Sequence, residues 1–132
     1  MGAKMTIKRS VLGGLALLLL LALAAPVQAG TAAHIHFLVV PPTPTAGMNN
    51  LQALEGFRNA LAQLAGGYTE WGPSQGASRE GGKLKRQTNF SYLVAADRDI
   101  TTDLVKLIQK YFTAPRPFVL HWTGTASIPL GK

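Results

Sequence analysis

Three histidines carry most of the side-chain chemistry available to this chain: His34 and His36, separated by one residue, and His121 near the far end. Residues two apart in an extended segment project to the same side, so AHIHFLVV (33–40) aims both imidazoles at one face. FVLHW (118–122) reads as a second strand. It sets Val119, His121 and Thr123 on one side and Phe118, Leu120 and Trp122 on the other. Where these strands are neighbours, three imidazoles gather on one face and present nitrogens suited to Zn²⁺ or Cu²⁺ at about 2.0 Å. The competing reading is three ordinary strand histidines. It gains weight because no Asp or Glu lies near His34 in sequence to support a ring of ligands. Ile35, Phe37 and Val39 make the better core set of the first strand. The larger apolar set of the last strand is expected to face the core too, which puts the three histidines on the opposite, open side.

Other chemistries find less support. There is no cysteine, which excludes disulfides, thiolate metal sites and a thiol nucleophile. Ser78, Ser91 and Ser127 lack the Gly-x-Ser-x-Gly surroundings of a nucleophile elbow. Glu70 and Glu80 flank a glycine-rich stretch and read as solvated charges, since paired acid–base work needs fixed geometry. GPSQGASREGG (72–82) has no phosphate-loop spacing and reads as a mobile hairpin tip. Trp71 and Trp122 could form a ligand platform, but aromatic residues on strands more often belong to a core.

The positioning elements follow a leader. Lys4, Lys8 and Arg9 precede an apolar run of 15 residues, Val11 to Ala25, then Pro26 and the small-residue segment Val27-Gln28-Ala29. That order is a secretory signal peptide, with residues 1–29 removed and 30–132 forming a single α+β domain in the periplasm or outside the cell. The alternative is a membrane anchor left uncleaved, although a span needs about 20 apolar residues. Cleavage after Ala33 instead would free the His34 amine to chelate copper beside its own ring. Without the three leader cations the chain keeps ten basic and six acidic residues. This density is too low for a nucleic-acid footprint. Arg79, Lys83, Lys85 and Arg86 concentrate the excess and are candidate contacts to an anionic partner such as a lipid headgroup.

Past the first strand, Pro41, Pro42, Pro44 and Gly47 enforce a non-helical connection. Asn49 or Asn50 can cap a helix whose stripe is Leu51, Leu54, Phe57, Leu61 and Leu64, ended at Gly66-Gly67. Gly56 within it suggests close approach of another backbone. Tyr68 to Ala96 reads as a hairpin turning at Glu80-Gly81-Gly82-Lys83. A second helix opens at Thr101, as its cap, and buries Leu104, Ile108 and Tyr111 before Pro115 and Pro117 stop it. Asp99 and Asp103 lie at the positive end of its dipole. The order strand, helix, strand, strand, helix, strand predicts a ferredoxin-like βαββαβ sandwich, a four-stranded antiparallel sheet with two helices on one face.

From about His34 to Trp122 the chain resembles an uncharacterised family of small bacterial ferredoxin-like domains. The likeness rests on the helix ending LAQLAGGYT, the GPSQGASREGG hairpin and the closing LVKLIQKYFTAPRPFVLHW. It implies the fold and brings no activity, cofactor or site residues. The favoured functional reading is therefore an envelope binding module rather than an enzyme, without a cofactor. Its open sheet face, with Leu38, Leu93 and the histidines, would be covered by a second copy or another envelope protein. The alternative is a Zn or Cu protein, or a metal-dependent enzyme, using His34, His36 and His121.

Overall fold

The computed structural model describes residues 30–127; the leader expected over 1–29 lies outside them. The elements are β1 (Thr31–Val40), α1 (Asn50–Ala65), β2 (Thr69–Glu80), β3 (Lys83–Ala96), α2 (Thr101–Tyr111) and β4 (Phe118–Ala126). The four strands form one antiparallel sheet in the order β2-β3-β1-β4. Leu38 and Val40 of β1, Tyr92 and Val94 of β3, Phe57 and Leu61 of α1, and Leu104 and Ile108 of α2 share one core. Both helices therefore cover the same face, and the fold is the ferredoxin-like α+β sandwich. Among the described residues no helix is long and apolar enough to cross a membrane.

The facing of β1 differs from expectation. Leu38 and Val40 are fully buried, whereas Phe37 and Val39 are partly exposed, so the even positions look toward the helices. The strand is apolar on both sides, and its neighbours decide which side is core. Leu38 and His36 pair with Tyr92 and Val94, both buried, while Phe37 and Val39 pair with Leu93 and Ser91. Leu38 thus belongs to the core, and only Leu93 keeps its expected place on the open face. On β4 the bulky set is outside: Phe118, Leu120 and Trp122 are each about half exposed, at 50%, 49% and 44%.

Local chemistry explains the helix ends. Asn49 caps α1 by accepting from the Gln52 amide at 2.9 Å, and the Gln52 side chain accepts from the Asn49 amide at 3.2 Å. This reciprocal pair satisfies two otherwise orphaned donors. Gly66 ends the helix in the left-handed region at φ 76°, where a Cβ would be strained. The stripe is rotated from the expected one: Ala53, Phe57 and Leu61 are buried, and Leu51 is exposed. A Cβ on Gly56 would stand 2.6 Å from Cε1 of Tyr111. The close neighbour is thus an aromatic ring of α2 rather than a backbone.

The glycine-rich stretch, expected to be a loose tip, is strand. β2 and β3 stay paired from Glu80↔Lys83 back to Gly72↔Ser91, with a bulge between Glu70 and Gly72. Gly81 and Gly82 turn the hairpin at φ 56° and 77°, the double positive φ that a two-residue turn needs. β1 pairs with β3 only over Phe90–Ala96, so the rest of the hairpin overhangs the end of β1. Glu70 is not a free solvated charge. It accepts both Nε and an Nη of Arg58, at 2.9 and 2.6 Å, tying β2 to α1.

Candidate metal centre

One end of the sheet brings together the start of β1, the end of β3, the later part of β4 and the first turn of α2. His36 lies opposite His121 across β1 and β4, and His34 opposite Thr123. The register gathers the three imidazoles on one face, as their spacing predicts. That face is the helix side and not the open side. His36 is fully buried, and the His121 side chain keeps 27% exposure. The inversion follows from β1, since the side that buries Leu38 must bury His36 as well.

The missing acid arrives from far along the chain. β3 ends at Ala96 opposite His34, so the residues that follow are delivered beside the histidines. Asp99 Oδ1 lies 3.2 Å from His36 Nε2, and Asp99 Oδ2 lies 3.7 Å from His121 Nδ1. One ligand atom each from His36, Asp99 and His121 falls within 4.8 Å of the other two. A tetrahedral ion with arms of about 2.0–2.1 Å separates its ligand atoms by roughly 3.3–3.4 Å; the 3.2 and 3.7 Å contacts run to the two different oxygens of Asp99, and with a single oxygen the three ligand atoms lie within 4.8 Å.

Asp99 is held firmly. Its Oδ1 accepts from the Thr101 amide at 2.9 Å and from the Thr101 hydroxyl at 2.6 Å. Thr101, expected to accept as the cap of α2, is instead the donor. These bonds, led by the Thr101 hydroxyl, hold the Asp99 carboxyl well below the usual carboxylate range. It is therefore an anion at the positive end of a helix. With Oδ1 engaged by Thr101 and His36, Oδ2 is the oxygen turned toward His121.

His34 contacts the other side of His121. Its Nδ1 is 2.9 Å from His121 Nε2, the ring centroids are 5.1 Å apart and the planes differ by 8°. That centroid distance leaves little beyond the N···N contact and the two ring radii. The rings thus lie edge to edge in nearly one plane, with the hydrogen bond along it. With an ion on His121 Nδ1, the ring proton would sit on Nε2 and donate to His34 Nδ1, an arrangement that would fix tautomer and ring orientation.

His36 is the strained member. Burial, first, and the neighbouring His121 push its pKa down against the pull of Asp99. Its Nδ1 is buried without a partner, and the Ile100 amide donates to its Nε2 at 3.3 Å. With Nε2 accepting from Ile100, the ring proton already lies on the unpartnered Nδ1, and an ion at Nε2 would take the place of the Ile100 amide.

The other residues singled out in the sequence fall elsewhere. Trp71 sits against Phe37, ring centroids 5.6 Å apart, and with Trp122 lies on the exposed open face rather than in the core. Arg79 and Lys85 line a cavity of about 640 Å³ together with Arg116. Lys83 stands at the hairpin turn, and Arg86 lies by Gln75, Gly76 and Ala77. Ser91 is buried and bonded to Ser74 at 2.7 Å, a structural pairing.

No known family model and no curated protein sequence matches the chain, so the resemblance noted above holds at the level of the fold. Solved structures do match. The chain is similar to the divalent cation tolerance protein Cut A1 of Thermus thermophilus, with 14% identity and a TM-score of 0.52 over 76% of this chain and 87% of that one. It is also similar to the divalent ion tolerance protein CutA1 of Ehrlichia chaffeensis, with 10% identity and a TM-score of 0.51 over 77% and 86%.

Proposed function

We propose that the chain binds a divalent transition-metal cation through His36, Asp99 and His121, with His34 orienting His121. The carrying observation is the convergence of three ligand atoms within 4.8 Å from a strand, a helix start and another strand. Two imidazoles and one carboxylate suit Zn²⁺ or Cu²⁺ and leave a position for water or a further ligand. Two solved proteins of this fold carry divalent cation tolerance and divalent ion tolerance in their names, which supports the same reading at the level of fold. Equilibrium dialysis of untagged protein is the test. One Zn²⁺ or Cu²⁺ per chain is expected, lost in His36→Gln and in His121→Gln; equal uptake by both variants would sink the assignment.

A binding role for the open sheet face is the second reading, favoured by the exposed Trp71, Phe118, Leu120 and Trp122. An exposed apolar face of this kind is covered by a partner, and a second copy of the chain is the simplest one. Export to the periplasm or beyond, from the leader sequence, would place both activities in the envelope. Sedimentation at micromolar concentration should show a dimer that a Leu120→Lys change dissociates; a monomeric wild type removes this reading.

A further inference from the structure

We propose that a second site, at the opposite end of the sheet from the metal centre, binds a small phosphorylated compound through Arg79, Lys85 and Arg116. The hairpin overhang and the segment after α2 enclose a cavity of about 640 Å³. That volume lies within the roughly 300–1,000 Å³ typical of small-molecule sites and far exceeds one phosphate group. Its cations come from both walls, Arg79 and Lys85 from the hairpin and Arg116 from the turn before β4.

Charge points to the ligand class. Three cations and one acid, Glu80, give the cavity a net charge of +2, matching the −1.5 to −2 or so of a phosphate monoester at neutral pH. Neither Arg79 nor Arg116 has an acidic partner among the described residues. Guanidinium groups of this kind hold phosphate oxygens two at a time. Lys85 reaches Glu80 at 3.3 Å with both side chains about 60% exposed, a weak pair that a dianion can displace. The wall also carries Asn89, only 4% exposed. Its Oδ1 is occupied by Gln87 at 2.9 Å, and its amide nitrogen makes no hydrogen bond among the described residues. A Cβ on Gly76 would come within 2.5 Å of that nitrogen, so only glycine leaves room for it there. Val39, Pro117 and Phe118 supply an apolar side, against which the body of an organic phosphate can rest.

Calorimetric titration with phenyl phosphate tests the site, with inorganic phosphate as the body-less comparison. One equivalent of phenyl phosphate is expected, held more tightly than inorganic phosphate. The double variant Arg79→Gln/Arg116→Gln should weaken it by about tenfold or more while circular dichroism and metal uptake stay as in the wild type. Arg86→Gln, outside the cavity, should bind as the wild type does. No saturable binding, undiminished binding by the double variant, or equal loss in Arg86→Gln overturns the proposal. Vesicles of phosphatidylcholine with phosphatidic acid separate the sources. Capture of both probes through the same two arginines identifies a lipid headgroup, and capture of phenyl phosphate alone identifies a soluble compound. Binding to vesicles only overturns the proposal.

Discussion

Replacing His34 with alanine separates a ligand from a residue that orients one. His34 touches the nitrogen of His121 that faces away from Asp99, so His34→Ala leaves all three ligand atoms in place and frees one ring to turn. Loss of such a supporting hydrogen bond weakens metal binding by about 10- to 100-fold. At a metal concentration about 100 times the wild-type dissociation constant, binding stabilises the native domain by about 2.7 kcal/mol. The same concentration is then only about 1 to 10 times the dissociation constant of the variant, and the stabilisation falls to about 0.4–1.4 kcal/mol. For a domain of this size each kcal/mol moves the melting temperature by about 4–8 °C. The metal-induced rise should therefore shrink to about one-seventh to one-half of its wild-type size of about 11–22 °C in His34→Ala, and vanish in His121→Ala. Differential scanning calorimetry with and without Zn²⁺ reads both. A His34→Ala variant that loses the whole rise would make His34 a ligand; one that keeps all of it would refute the orienting role.

Phe57→Ala should cost about 3–5 kcal/mol, because the fully buried ring packs edge-on against Tyr92 and Phe112; urea unfolding measures it, and a loss below about 1 kcal/mol would contradict the packing. Asn49→Ala should cost about 1 kcal/mol, with Asn49→Asp recovering most of it in the same assay. Tyr92 is fully buried, and burial, assisted by Glu70 and opposed by Arg58, pushes its pKa up to about 12. The unfolded phenol titrates near 10, so this contribution is present in full below pH 10 and is lost as pH rises through about 12. The loss is about 2–3 kcal/mol, and Tyr92→Phe should abolish that alkaline step; a variant with an unchanged step would assign it elsewhere.

Much of the sandwich is legible in local signals. Asn49, the Gly81-Gly82 turn and Pro115 mark boundaries through backbone rules that act within a few residues, and the structure keeps them there. The shared side of His34, His36 and His121 is legible for the same reason, since a period of two fixes facing within a strand. Which face they join is not, because Ile35, Phe37 and Val39 are as apolar as Leu38 and Val40. The choice depends on Tyr92 and Val94 in the neighbouring strand. Asp99 has a visible signal that proximity in sequence hides. A strand antiparallel to β1 must end beside the start of β1, so an acid just past Ala96 falls next to the histidines. The strand character of GPSQGASRE is masked by its glycines, which serve the bulge at Gly72 and the contact of Gly76 with Asn89.

The proposed metal site would close only once the last strand has docked. Its candidate ligands lie at positions 36, 99 and 121, and β4 occupies the sheet edge next to β1. A chain still being made, or one whose final strand has not docked, owns His36 and Asp99 but not a closed set. Long-range pairing of this kind forms late because its loop must close before any contact rewards it. On the proposed assignment the last strand would act as a latch, and loading would report that folding is finished. The ion would then come from whichever compartment β4 docks in, so the site of folding, more than affinity, would decide which metal the protein carries.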